Sequence, residues 1–236
     1  MRFLDRLAVM TEVRDGAPGG GERAPMVLRG GTQLRRQPSP QRQERYDEEV
    51  RTLIGAAQVV MRRLGTTEAP RVADIVAEAG MTNQAFYRHF RSRDDLIVAT
   101  YEYGLLLLHG YLVHQISRRR SPKGKVEAWI TGVLAQVADP AVAAMSRAIL
   151  WNVNQIPTGS SEVQEVGLRR VSDLLIEPLE RSGSSDPDWD ADAISSLVMA
   201  LTNRYVADGR LPGPAEIERT RRFCLRGVGI APGRAP

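Results

Sequence analysis

Three features of the chain predict an all-α fold. Apolar residues recur at the 3.6-residue period in one segment after another, helix-capping signatures stand at the segment starts, and no stretch shows the two-residue alternation of strands. With 236 residues, 42% hydrophobic and 25% charged, the chain suits one large domain or two small ones and is neither wholly disordered nor fibrous.

The helical pattern starts late. Residues 1–40 hold six Gly and four Pro, with Gly19-Gly20-Gly21, Gly30-Gly31 and Pro38-Ser39-Pro40, and residues 1–41 are read as a disordered Arg/Gly/Pro-rich leader. Residues 1–45 carry nine Arg against five acids, whereas residues 46–100 carry seven Arg against eight acids. The leader is either an arginine-rich arm that follows nucleic-acid phosphates or a dispensable tail, and its composition favours the tail.

From Tyr46 the order of elements follows local signals. Tyr46, Val50, Leu53, Ile54, Ala57, Val60, Met61 and Leu64 form one stripe, ended at Gly65. Pro70 is expected in the first turn of a short helix, Val72 to Ala79, which Gly80 breaks. Thr82 is placed to cap a second short helix, Asn83 to Phe90, and Ser92-Arg93-Asp94-Asp95 has the form of a capping box opening a long helix from Arg93 to about Arg118. Val126, Trp129, Ile130, Val133, Leu134 and Val137 make the next stripe; Val142, Met145, Ile149 and Val153 make another, ended before Pro157. A polar connection from Thr158 to Ser161 leads to a helix from about Glu162 to Arg181, with a bend expected at Pro178. Helices from Asp190 to Ala207 and from about Pro214 to Arg226 follow, and residues 231–236 are a flexible tail.

Composition excludes several kinds of protein. Apolar runs such as Leu105 to Leu108 are far shorter than the roughly 20 residues of a membrane span, and the first ten residues lack the core of a signal peptide, so no membrane partner and a cytoplasmic location are expected. The single cysteine, Cys224, forms no internal disulfide, and three scattered histidines make no metal spacing; neither a metal nor a cofactor is expected. No activated nucleophile or acid–base pair is recognisable, so the chain is not read as an enzyme.

The chemistry concentrates between Val72 and Leu96. Two short helices around Gly80-Met81-Thr82 describe a helix-turn-helix, whose second helix fits the major groove of DNA. Ala85, Phe86 and Phe90 are expected to turn inward; Asn83, Gln84, Tyr87 and Arg88 project outward. Asn and Gln pair bidentately with adenine and Arg with guanine, while a tyrosine hydroxyl or histidine suits phosphate oxygens, as at Tyr87 and at His89, which either meets a phosphate or caps and packs beside Phe90. A sequence-indifferent architectural binder is the alternative; it needs broad positive charge, which residues 46–100 lack.

These residues resemble the DNA-binding domain of tetracycline-repressor-type (TetR/AcrR) transcriptional regulators. The resemblance rests on Asp74-Ile75, Ala79-Gly80 before the turn, Phe86-Tyr87, His89-Phe90 and the run Ser92-Arg93-Asp94, within about 50 residues from Leu53 to Thr100. It implies a cytoplasmic bacterial homodimer, nucleoid-associated when bound, whose three-helix heads (residues 42–100) read a palindromic operator in double-stranded DNA. It also implies a larger helical domain (101–230) that dimerises and binds a small-molecule effector, the protein being a repressor released by that effector. Two departures stand out: Met61 occupies a position usually aromatic, and Pro70-Arg71 replaces a Thr-Thr or Thr-Ser pair. Arg71 then takes over the phosphate contact, beside candidate contacts Thr82, Asn83, Gln84, Tyr87, Arg88, His89 and Arg93.

For the larger domain the candidate effector pocket comprises Tyr103, His109, Trp129, Trp151, Asn152 and Gln155, with Asn154 and Asn203 beside them, although aromatics at helical spacing are more often core. The candidate dimer interface is the pair of stripes holding Val171, Leu174 and Leu175, and Ile194, Leu197 and Leu201.

Overall fold

The computed structural model describes residues 40–156 and 161–230, all of whose regular elements are helical. The expectations for the leader through residue 39, for residues 157–160 and for the tail from 231 lie outside them. Contacts divide the chain into two compact units, residues 1–52 and 53–236. The described part of the first is the opening of helix α1 (Pro40–Leu64), where Thr52 Oγ1 donates to the Glu48 carbonyl at 2.9 Å.

In the second unit α1 continues to Leu64 and buries Leu53, Ile54, Ala57, Val60 and Met61. Helix α2 (Val72–Glu78) buries Ile75 and Val76, and α3 (Asn83–His89) buries Ala85 and Phe86. Pro70 stands one residue before the N-cap of α2, not in its first turn. Arg71 is the cap, with extended backbone and no side-chain cap bond, because arginine offers no acceptor to the first N–H groups.

Helix α4 (Arg93–Ser117) opens on Ser92, whose hydroxyl accepts the Asp95 N–H at 3.1 Å. The return bond of the expected capping box lands one residue upstream, where Asp95 Oδ2 accepts the Arg91 N–H at 3.1 Å. Helix α5 (Pro122–Ala138) is capped by Ser121 and α6 (Pro140–Asn154) by Asp139, each followed by a proline whose missing N–H is one of the unpaired first-turn donors anyway.

The segment expected as one helix to Arg181 is broken: α7 (Ser161–Ser172), a 3₁₀ turn (Asp173–Leu175) and α8 (Ile176–Glu180). The expected bend at Pro178 therefore falls earlier, where the proline ring would otherwise meet the carbonyl four residues back, at Leu174, and the helix tightens there. Helix α9 (Pro187–Asp208) starts three residues sooner than expected because Asp186 caps it, and α10 (Pro214–Gly227) ends the described fold.

Helix α5 is the centre of the larger body. It contacts α4, α6, α8, α9 and α10, and buries Val126, Trp129, Ile130, Val133, Leu134 and Val137 among Val171, Leu175, Leu179, Ile194 and Val198. Gly132 lets α4 come close: a Cβ there would lie 2.7 Å from Leu112 Cδ2, inside contact distance. α4 is also, among the described residues, the one single helix long and apolar enough to cross a membrane, with a mean hydropathy of 1.4 over its best window. Continuous runs missed this because His109 and Gly110 interrupt them without lowering the mean much. Leu96, Ile97, Thr100 and Leu112 of α4 are buried inside the chain, while Leu106 and Val113 face out.

Candidate nucleic-acid interface

The turn between α2 and α3 is built by one left-handed residue and one cap. Gly80 has φ +63°, a conformation that costs side-chain-bearing residues, and it swings the chain so that the Met81 N–H reaches the Val76 carbonyl at 2.8 Å. Thr82 then accepts the Ala85 N–H on its hydroxyl at 3.2 Å and starts α3. A seven-residue helix is too short to stand alone in water, so α3 depends on this cap and on packing.

Phe86 supplies the packing. It is fully buried, with its ring 5.8 Å from Phe90 and edge-on to Tyr87 at 5.2 Å. Tyr87 nevertheless stays 60% exposed, its ring packed edge-on against Phe86 on one side. Asn83, Gln84 and Arg88 are exposed on the same helix, Ala85 faces inward, and His89 is half-buried at the helix end.

The flanking cations differ in readiness. Arg71 is exposed and pairs with Glu68 at 3.0 Å; exposed pairs of this kind contribute about 0–1 kcal/mol, so a phosphate can compete for it. Arg93 lies along Asp94, with Nε and Nη2 at 2.9 and 2.8 Å from one carboxylate oxygen, and is the more committed of the two. Arg91, which the sequence reading passed over, follows Phe90 with an exposed side chain and no ion pair among the described residues. The signal was available, since an arginine directly after α3 shares the end of the recognition element.

The candidate pocket residues differ in burial. Trp129 is fully buried and its indole N–H donates to the Val171 carbonyl at 2.9 Å; Asn152 is 1% exposed and its amide donates to the Ala148 carbonyl at 2.8 Å. Trp129 is thus a core residue with its one polar group held by backbone, whereas the Asn152 amide oxygen is buried with no partner among the described residues. Tyr103, His109 and Trp151 are half-buried, and Gln155, Asn154 and Asn203 are exposed. None of them lines the cavity of about 290 Å³ that opens between α4, α5 and α10.

The interface expectation changes too. Val171, Leu175 and Ile194 are buried in the core of a single chain and are covered without a second copy, whereas Val166 of α7 stays exposed. Leu174, Leu197 and Leu201 are half-buried against the same core. The large apolar side chains left exposed on the last two helices are Trp189 on α9 and Phe223 on α10, at 66% and 67%. Cys224, next to Phe223, is buried, and burial pushes its thiol up to about 11. Among the described residues no cluster of three His, Cys, Asp or Glu is arranged to hold a metal ion.

Residues 65–100 match the family model for bacterial regulatory proteins of the tetR family. Among solved structures, the fold is similar to the fatty acid degradation regulator FadR of Bacillus halodurans, with TM-score 0.60 and 19% identity over 75% of this chain and 98% of that one. It is similar also to a tetR-family regulatory protein of Rhodococcus RHA1, with TM-score 0.57 and 18% identity over 78% and 99%. A third likeness is FadR of Bacillus subtilis in complex with stearoyl-CoA, with TM-score 0.57 and 16% identity over 75% and 98%. No curated protein matches the sequence.

Proposed function

We propose that this chain, a tetR-type transcriptional regulator by the DNA-binding segment at residues 65–100 and by its all-α fold, is a homodimeric repressor that reads a palindromic operator and is released by a small-molecule effector. The observation that carries the DNA reading is α3 itself: Asn83, Gln84, Tyr87 and Arg88 are exposed on a helix anchored from behind by fully buried Phe86 and started by the Thr82 cap. Asparagine, glutamine and arginine on such a face read base edges, and Tyr87, Arg71 and Arg91 hold phosphates. The duplex partner places the protein in the bacterial cytoplasm, on the nucleoid when bound.

A second copy would meet this one over α9 and α10, where Trp189 and Phe223 stand exposed. Two heads related by that axis read half-sites whose centres lie one helical turn, about 34–36 Å, or a multiple of it apart. The effector reading has support in continuity: α4 starts beside the head, where Leu96 and Ile97 are buried, and ends at the cavity of the body, so one rigid element spans the proposed 42–100 head and 101–230 body. The Bacillus subtilis FadR solved with stearoyl-CoA is a fold relative that binds a small molecule.

The deciding experiment measures affinity for the inverted repeat nearest the gene and for a scrambled duplex at fixed salt. Gln84→Ala and Arg88→Ala each lower the preference for the repeat by about 1–3 kcal/mol, the worth of a bidentate base contact. Equal affinity of the unaltered protein for both duplexes would favour the architectural reading instead.

A further inference from the structure

We propose that the groove at the far end of α4 binds a small organic monocarboxylate, an inference that rests on the effector reading and names its site and ligand class. The groove holds about 290 Å³, room for roughly ten waters. Tyr111, Gln115 and Arg119 line one side, each four residues from the next, so that they continue one face of α4 past its end. Ala128 and neighbouring small residues of α5 leave the space, and Glu127 and Arg221 close it on the α10 side.

The charges point to the ligand. Arg221 Nη1 lies 3.5 Å from Glu127 and Nη2 is bonded to Glu218, yet its Nε is buried with no acceptor. A buried donor without a partner is a standing cost that an incoming oxygen removes. Arg119 has no ion pair among the described residues. Of the groove's lining residues Glu127 is the one carboxylate, and it pairs with Arg221; Glu218, outside the lining, is shared by Arg221 and Arg222, so Arg119 is the surplus cation of the groove. One ligand carboxylate completes the set, while Glu127 in the wall disfavours a second negative charge. The Tyr111 ring and Ala128 offer the remainder of the ligand an apolar surface. Arg221 and the exposed Phe223 sit two residues apart on α10, so a ligand held between Arg119 and Arg221 ties the end of α4 to the helix proposed to meet the second copy.

Sodium benzoate is the probe, with neutral benzamide of the same shape as control, titrated calorimetrically into the full chain, while a parallel assay follows release of operator. Benzoate is expected to bind about tenfold tighter than benzamide. Arg119→Gln removes that margin without changing benzamide binding or the melting temperature, and Arg119→Lys keeps most of it. Equal binding of the two probes, benzoate binding insensitive to Arg119→Gln, or no binding of benzoate or 2-naphthoate overturns the site. Carboxylate binding that leaves operator affinity unchanged overturns its effector role alone. A protein that binds benzoate through Arg119 but no operator sinks the regulator reading and leaves the site standing.

Discussion

The Trp129 indole N–H donates to the backbone carbonyl of Val171 across 2.9 Å, joining the middle of α5 to the last turn of α7 inside the core. The bond lies where the chain departs from regular helix, just ahead of the 3₁₀ turn at Asp173–Leu175. Trp129→Phe keeps an aromatic ring but strands the Val171 carbonyl in a dry interior. The expected loss is about 1–3 kcal/mol from the unpaired acceptor, read by urea unfolding, with operator affinity of the folded protein unchanged.

Thr82 offers a second test, because its hydroxyl accepts the Ala85 N–H at the opening of α3. Thr82→Ala should cost about 1 kcal/mol of stability and Thr82→Ser almost nothing. Any loss of DNA affinity in Thr82→Ala beyond that of Thr82→Ser reflects a frayed recognition helix, measurable by amide exchange at Ala85 and Phe86.

Tyr87 combines a ring packed edge-on against Phe86 with a mostly exposed surface. If Tyr87 holds a phosphate as proposed, Tyr87→Phe is expected to weaken binding to all duplexes alike. Tyr87→Ala also frees the surface over Phe86 and lowers affinity further, again without changing the preference for the inverted repeat, in contrast to Arg88→Ala.

Cys224 has its thiol pushed up by burial to about 11, so at pH 8 only about one molecule in a thousand carries the thiolate. A thiol reagent such as DTNB should leave the folded protein unmodified and react stoichiometrically once urea has unfolded it. Reaction at full rate in the absence of denaturant contradicts the burial.

Glu216 accepts the Gly213 N–H at 2.9 Å at the start of α10, and this bond is the main reason its carboxyl is held below the usual range, with Arg210 at 3.0 Å adding to it. A carboxyl depressed in the folded state stabilises the fold above its unfolded value and loses that contribution as pH falls through the folded one. Glu216→Gln should therefore lower stability near neutral pH and show a shallower decline below about pH 4, the region of ordinary glutamate titration, in urea unfolding measured across pH.

What could be read directly from the chain is what neighbours in sequence settle among themselves. Ser92, Ser121 and Asp139 cap the helices they precede, Gly80 turns the chain, and Phe86 faces away from Gln84 and Arg88, because each of these depends on groups within four residues. Periodicity also marks which face of a helix is apolar. It does not say what covers that face. Val171, Leu175 and Ile194 have the same pattern whether a second copy or α5 meets them, and only the folded chain, by bringing α5 against α7, α8 and α9 through the Trp129–Val171 bond, assigns them to the interior and leaves Trp189 and Phe223 outside. Likewise the groove joins Arg119 to Arg221 across more than a hundred residues of chain. Burial and uncompensated charge are sums over everything nearby in space, and no local spacing carries that sum.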